Sequence, residues 1–333
     1  MKNFDKSIDT PKWLFKENEN LSPLNDGKPF ILIDYHQVTY DLNDWLTIEK
    51  DLVNKLLLKH GGILFRGFNI NTVEKFNTIT TSFNSEPIPY MFRSSPRYSL
   101  GDHVYLSTTY PSSRKINMHS ESSYSYVWGQ KIMFCCITEP IEGGETPIAD
   151  NRLVMRKISN ELLKKFDEHG IIYQRTLSPH VSMGWPEVFQ TEDRQAVLGI
   201  CKENDISCNF LNDQELIIRW KRPALAKHPL TGDKIWFNHA FFFNKYSILD
   251  EMGLLPDEDI PDDLLPSNTF FGDGSEISHS DYLELRSAYE TEKTYFKWKK
   301  GDVLLLDNML TAHGRSPYKG DRKIIVAIME PTS

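Results

Sequence analysis

The sequence predicts a mainly β chain with flanking helices, an α+β molecule built on a jelly-roll or barrel core. Three observations predict it. Short runs rich in β-branched and aromatic residues, bounded by turn residues, recur along the chain and outnumber helical stretches in its second half. The helical stretches fall outside the strand clusters. Strands and helices do not alternate as a parallel βαβ sheet requires.

Taken in order, residues 1–28 are polar and turn-rich and read as a surface arm, leaving 29–333 as one domain. Over 44–60, Trp45, Leu46, Leu52, Val53, Leu56 and Leu57 share one helical face. Gly61 and Gly62 stop that helix, and Ile63, Leu64 and Phe65 follow as a strand. A second helix starts near Asn71, with Glu74 as capping partner and Val73, Phe76 and Ile79 as its apolar set. A third starts near Ser159, buries Leu162, Leu163 and Phe166, and ends at Gly170. Further strands are expected at 131–138, 171–177, 234–238, 294–298, 302–307 and 323–329. The stretch 192–290 reads as a mixed insertion, and its acidic, proline-broken segment from Pro256 to Asp263 as a solvated loop.

Composition narrows the function classes. With 333 residues, 40% hydrophobic and 25% charged, the chain can bury a sizeable core without disulfides. A net charge of -8 and the lack of a basic stripe argue against nucleic acid as a partner. No stretch approaches about 18 uninterrupted apolar residues, so no membrane span is expected. The N-terminus has no apolar leader, which makes a cytoplasmic location the expectation. None of the four cysteines forms a CxxC pair; Cys135 and Cys136 lie in an apolar run and read as buried reduced thiols.

The chemistry centres on Met118-His119-Ser120-Glu121. On a strand, residues two apart face the same way, so His119 and Glu121 are expected to point together into the barrel. His313, which follows the apolar run 303–306, is the candidate second histidine. Two histidines and one carboxylate on one face of an iron leave three positions open, two for a 2-oxo acid and one for dioxygen. HxE alone is a weak signal, and a surface histidine beside a solvated acid competes with it. Arg322, at the start of the strand 323–329, would pair in a bidentate way with the far carboxylate of 2-oxoglutarate; a strand-end surface charge is the competing reading. Gly143 and Gly144 allow a tight turn, after which the Thr146 hydroxyl is placed to help the same carboxylate.

The order HxE, GGETPIAD, WFN, FGDGS, LLLDNMLTAHGR and GDRKIIVAI resembles the TauD/TfdA family of Fe(II)/2-oxoglutarate dioxygenases, from about Gly62 to Glu330. More narrowly, with the segments 93–97 and 104–111, it is similar to the SyrP-like branch, which includes amino-acid hydroxylases of natural-product pathways. The resemblance implies a double-stranded β-helix, Fe(II) held by His119, Glu121 and His313, and 2-oxoglutarate held by Thr146 and Arg322. It implies hydroxylation of an amino acid, free or tethered to a carrier protein, with desaturation, cyclisation or isonitrile formation as alternative outcomes. Two departures matter. Many relatives have Asp where this chain has Glu121, which keeps the charge and donor atom; halogenating relatives have a small residue there, so Glu121 argues against halogenation. Some relatives carry an acid-gripping arginine where this chain has Val326.

Other candidates are weaker. Arg93 and Arg97 are candidates for an anionic substrate group at the site's mouth, with surface charge competing. Asn238, in the strand 234–238, is a candidate to orient substrate, and its neighbour His239 is expected to face away. Arg315 is a candidate to position a carboxylate or shape the site. The Phe241-Phe242-Phe243 cluster reads as core. The rivals from other classes are a non-catalytic jelly-roll binding protein and a zinc hydrolase; neither needs Arg322.

Overall fold

The structure is a computed structural model that describes residues 31–34, 41–81, 83, 98–101, 104–257 and 260–332. The proposed arm and the candidates Arg93 and Arg97 lie outside the described residues.

The largest sheet has seven strands. Their order is Ile31–Asp34, Gly62–Arg66, Val303–Asp307, Gly129–Thr138, Lys323–Pro331, Val104–Leu106 and Ser99–Gly101. Only the first pair is parallel; the other neighbours run antiparallel. The central strands are apolar on both faces because both faces are covered. Ile132, Phe134, Leu304, Leu306, Ile324 and Val326 pack on one side with Ile148, Phe296 and Trp298. Met133, Cys135, Val303, Leu305, Ile325 and Ala327 point the other way, where Trp45, Leu57 and Phe76 cover them. Unbroken runs such as Val303-Leu304-Leu305-Leu306 are the sequence mark of such two-sided burial.

Those covering residues come from three helices, Leu42–Ile48, Lys50–His60 and Val73–Thr81. The single helix expected over 44–60 is two helices, broken at Glu49, whose backbone N–H still reaches the Trp45 carbonyl. The apolar face continues across the break, so periodicity does not reveal it. Gly61 ends the second helix at φ 81, as a left-handed cap favours glycine. The Val73–Thr81 helix is entered through Thr72, whose hydroxyl accepts the Lys75 N–H, rather than through Asn71. Ser159 and Gly170 bound the helix Asn160–His169 as expected.

A four-stranded antiparallel sheet, ordered Ser207–Phe210, Leu216–Arg222, Ile171–Leu177 and Ser267–Phe271, packs with the helices Asn160–His169 and His279–Glu292 around a second core. The expected strand 294–298 does not form. Thr294 makes one isolated bridge to Ile148, and Phe296 and Trp298 drop their rings onto the large sheet from a loop. The expected strand 234–238 stops at Trp236. Cys135, Cys136 and Cys201 are buried free thiols; burial pushes the Cys136 thiol up to about 12. Among the described residues, no helix is long and apolar enough to cross a membrane.

A three-stranded antiparallel sheet carries His119 and His313: Ile116–His119, Thr311–Arg315 and Ile148–Asp150. It faces the large sheet. Ile148 shares that sheet's core, and the His313 ring lies 5.1 Å from the Phe134 ring.

Candidate active site

His119 is the last residue of its strand, and His313 is its direct cross-strand partner, with ring centroids 4.5 Å apart. This pairing depends on a close approach. A Cβ at Gly314 would stand 2.6 Å from the Ile116 carbonyl oxygen, so only glycine lets the strands meet there. His119 Nδ1 lies 2.9 Å from the Asn117 carbonyl oxygen. A carbonyl only accepts, so Nδ1 carries the proton and Nε2 is the ring's lone-pair nitrogen, the one suited to a cation.

Glu121 reaches the histidines by a different route from the one expected. The strand ends at His119, so alternation does not place it. Glu121 sits in a turn followed by Ser122 at φ 57. Its backbone N–H donates to Asn308 Oδ1 at 2.8 Å, and Asn308 Nδ2 donates back to its carbonyl at 2.9 Å. Next to it, the Ser120 hydroxyl donates to the Thr311 carbonyl at 2.9 Å. One ligand atom from each of His119, Glu121 and His313 lies within 4.8 Å of the others. Two imidazole nitrogens and one carboxylate oxygen, half-buried or buried, suit a divalent transition metal with open positions.

The three side chains line a cavity of about 640 Å³. Its wall also carries Thr146 and Arg322. The Gly144 backbone, at φ 73, turns its carbonyl onto Arg322 Nε at 2.9 Å. Burial, and then the neighbouring Arg315, lower the Arg322 pKa to about 10, still charged at neutral pH. Thr146 is buried and its Oγ1 accepts the Trp298 indole N–H at 3.1 Å, which leaves its own proton to donate.

The weaker candidates separate. Arg315 lines the cavity, but its fork donates to the carbonyls of Tyr110, Pro111 and Arg114 at 2.8, 2.6 and 2.5 Å, so it shapes the wall by holding that loop. Asn238 must be corrected. It is not in the cavity wall; its amide donates to the Ala224 carbonyl at 2.8 Å and accepts the Ala240 N–H at 2.9 Å. His239 must be corrected too. It lines the cavity, its ring 5.7 Å from that of His119, and its Nδ1 lies 2.6 Å from the Ser123 hydroxyl. The chain leaves the strand at Trp236, so face parity no longer holds at 238 and 239. Burial, reinforced by His119 and His313, lowers the His239 pKa well below the usual value and keeps the ring neutral. Phe241 is core, as expected; Phe243 is buried in the same core but also lines the cavity, as does Phe242, whose ring lies 4.5 Å from that of His119.

Four residues of the site escaped the sequence reading: Asn308, Trp298, Arg175 and Glu251. Arg175 is buried in the cavity wall, on the strand Ile171–Leu177 beside Ser267. Burial lowers its pKa. Glu251 lines the same cavity, where its Oε2 accepts the Tyr110 hydroxyl at 2.9 Å. Burial raises its pKa. No local pattern marks either residue, since each is brought in by a packing partner distant in sequence.

Two histidines and a carboxylate opening on a cavity, with an arginine and a threonine set in its wall, form the arrangement of the iron- and 2-oxoglutarate-dependent oxygenases. The chain belongs to the taurine catabolism dioxygenase TauD, TfdA family, whose profile matches residues 23–329. It is therefore an oxygenase that works with Fe(II), 2-oxoglutarate and dioxygen. It is 34% identical over 315 residues to the dapdiamide synthesis protein DdaC of Enterobacter agglomerans, covering 94% of each chain. It is 27% identical to a clavaminate synthase-like protein of Arabidopsis thaliana, covering 84% of each. Among solved structures, PvcB of Pseudomonas aeruginosa shares its fold with a TM-score of 0.54 at 14% identity, over 93% of this chain and 90% of that one. AAD-2, solved with Mn(II) and N-oxalylglycine, gives a TM-score of 0.54 at 16% identity, over 94% and 97%.

Proposed function

We propose that this enzyme hydroxylates an unactivated C–H bond of an amino acid, free or tethered to a carrier protein, in a biosynthetic pathway. His119, Glu121 and His313 are the iron ligands, and Thr146 and Arg322 receive the far carboxylate of 2-oxoglutarate. The observation that carries this is the convergence of three ligand atoms within 4.8 Å in the wall of the cavity that Arg322 also lines. On the same reading, the two sheets that meet across Ile148, Phe134 and His313 are the walls of a double-stranded β-helix.

Iron with 2-oxoglutarate and dioxygen supplies an oxidant able to take hydrogen from such a carbon. The protein's own residues do the rest. Asn117 fixes the His119 tautomer, which leaves Nε2 as the nitrogen that would ligate the metal. Arg322 offers a charged fork to a carboxylate, and the Thr146 hydroxyl, steadied by Trp298, offers a second donor. Ile132, Phe134, Phe242 and Val326 line the cavity with apolar surface and limit water.

Two points support an amino acid as substrate, and a third supports hydroxylation as the outcome. The similarity to a dapdiamide synthesis protein spans nearly the whole chain. The cavity wall presents both a guanidinium, Arg175, and a carboxylate, Glu251, the two charges a zwitterion meets. Glu121 keeps a carboxylate on the metal, which favours oxygen insertion over halogenation. The test is mass spectrometry of candidate amino acids, free and as carrier thioesters, incubated with Fe(II), 2-oxoglutarate and air. A gain of one oxygen coupled to succinate release is expected. Succinate release that no amino acid stimulates would contradict the substrate assignment.

A further inference from the structure

Glu121 is the member of the triad that lies on no strand. His119 and His313 are locked by direct pairing of their strands, but the chain has left the sheet two residues before Glu121. What stands in for a neighbouring strand is one side chain. Asn308 is fully buried, and its Oδ1 accepts the Glu121 N–H while its Nδ2 donates to the Glu121 carbonyl. Both backbone groups of a single residue are thus held by one amide, as a β-bridge would hold them. The second Nδ2 proton goes to the Gly129 carbonyl at 2.8 Å. Two carbonyl acceptors on one side and an N–H on the other fix which way the amide points.

Asn308 is itself held. Its backbone N–H donates to the Gln130 carbonyl at 2.9 Å. The preceding Asp307 carboxylate accepts the N–H groups of Met309 and Leu310 at 3.0 and 2.9 Å, and the Asp307 carbonyl accepts the Thr311 hydroxyl at 2.6 Å. The turn that begins the His313 strand therefore also carries the amide that holds Glu121. Asn151 braces the junction by donating to the Ser120 hydroxyl and the Met309 carbonyl, each at 2.9 Å.

We propose that Asn308 is a positioning residue for the carboxylate ligand: its side-chain amide, in place of a β-strand, sets where Glu121 meets the metal. Asn308 does not line the cavity. It couples the Glu121 turn to the His313 strand, so both sides of the triad are set by residues 307–311. This inference rests on the reading of His119, Glu121 and His313 as metal ligands.

The test titrates metal-free protein with Co(II), followed by its visible absorption, beside thermal melting. Outer-sphere hydrogen bonds of this kind are worth about 10–100-fold in metal affinity. Asn308→Ala is expected to weaken Co(II) binding by about that factor and to speed amide exchange at Glu121 in the metal-free protein. Asn238→Ala is the control, because it removes an equally buried amide that bonds two backbone groups outside the cavity. It is expected to lower the melting temperature and leave Co(II) affinity unchanged. Should Asn308→Ala not fold, Asn308→Asp carries the same comparison, since it keeps the acceptor for the Glu121 N–H and loses the two donors. Affinity within twofold of wild type in the Asn308 variant, or an equal loss in Asn238→Ala, overturns the proposal. Wild-type protein that binds no Co(II) overturns the ligand assignment, and this proposal falls with it.

Discussion

Arg322 and Thr146 hold their places through different partners, and that difference sets how much each contributes. Arg322 spends Nε on the Gly144 carbonyl and keeps the rest of its fork at the cavity wall. Hydrogen bonds to charged groups contribute about 1.5–3 kcal/mol each, so losing the two bonds of a bidentate pair in Arg322→Met is expected to raise the KM for 2-oxoglutarate at least ~100-fold. Thr146→Val removes one hydroxyl donor to that carboxylate, worth about 1.5 kcal/mol, an effect of roughly tenfold. Steady-state kinetics with varied 2-oxoglutarate checks both; an unchanged KM in Arg322→Met would remove that residue from the site. His313 and Arg322 are legible in the sequence because they follow or open apolar runs, and His119 because of its HxE spacing with Glu121. Trp298 is not, because its job is to orient a hydroxyl 152 positions away. Asn238 and His239 were misassigned for one reason: the strand stops at Trp236, and alternation was carried two residues too far.

Among the elements, the pair Ile116–His119 and Thr311–Arg315 decides whether the histidines meet. Gly314→Ala would set a methyl against the Ile116 carbonyl, 2.6 Å away, and the strands must part. The expected cost is about 1–3 kcal/mol in urea unfolding, with weakened metal binding because the His119–His313 register is disturbed. An Ala variant with wild-type stability and metal affinity would mean the strands do not approach as described. The central strands were legible because both faces are buried, which leaves unbroken apolar runs. The segment 294–298 shows the limit of that signal. Its alternating aromatic rings read as a strand, yet most of its backbone finds no partner strand, and the rings pack from a loop. Glu121 shows the same limit: HxE spacing suggested a shared strand face, but a turn held by Asn308 brings the carboxylate in.

Across the whole molecule, Arg66 and Asp302, far apart in sequence, are tied on the large sheet's face opposite its helical cover, beside the loop that carries Phe296 and Trp298. Arg66 donates to Asp302 through Nε at 2.9 Å and Nη2 at 2.7 Å, and also to the Lys297 carbonyl at 2.9 Å. Both side chains are almost wholly buried, and burial raises the Asp302 pKa against the opposing pull of Arg66. Removing one partner of such a pair strands the other charge, so Asp302→Asn is expected to cost about 3–5 kcal/mol of folding stability. Neither residue lines the cavity, so metal affinity at low temperature should stay as in wild type. Chemical unfolding alongside Co(II) titration separates the two effects. That pairing spans 236 positions, and no local pattern could show it.

The central claim, that His119, Glu121 and His313 hold the iron to which 2-oxoglutarate binds, is tested most directly by anaerobic titration of Fe(II) and 2-oxoglutarate into the protein. The expected result is a weak visible charge-transfer band that saturates at one iron per chain and is lost in His119→Ala and His313→Ala. A wild-type protein without the band, or a band that both variants retain, would contradict it.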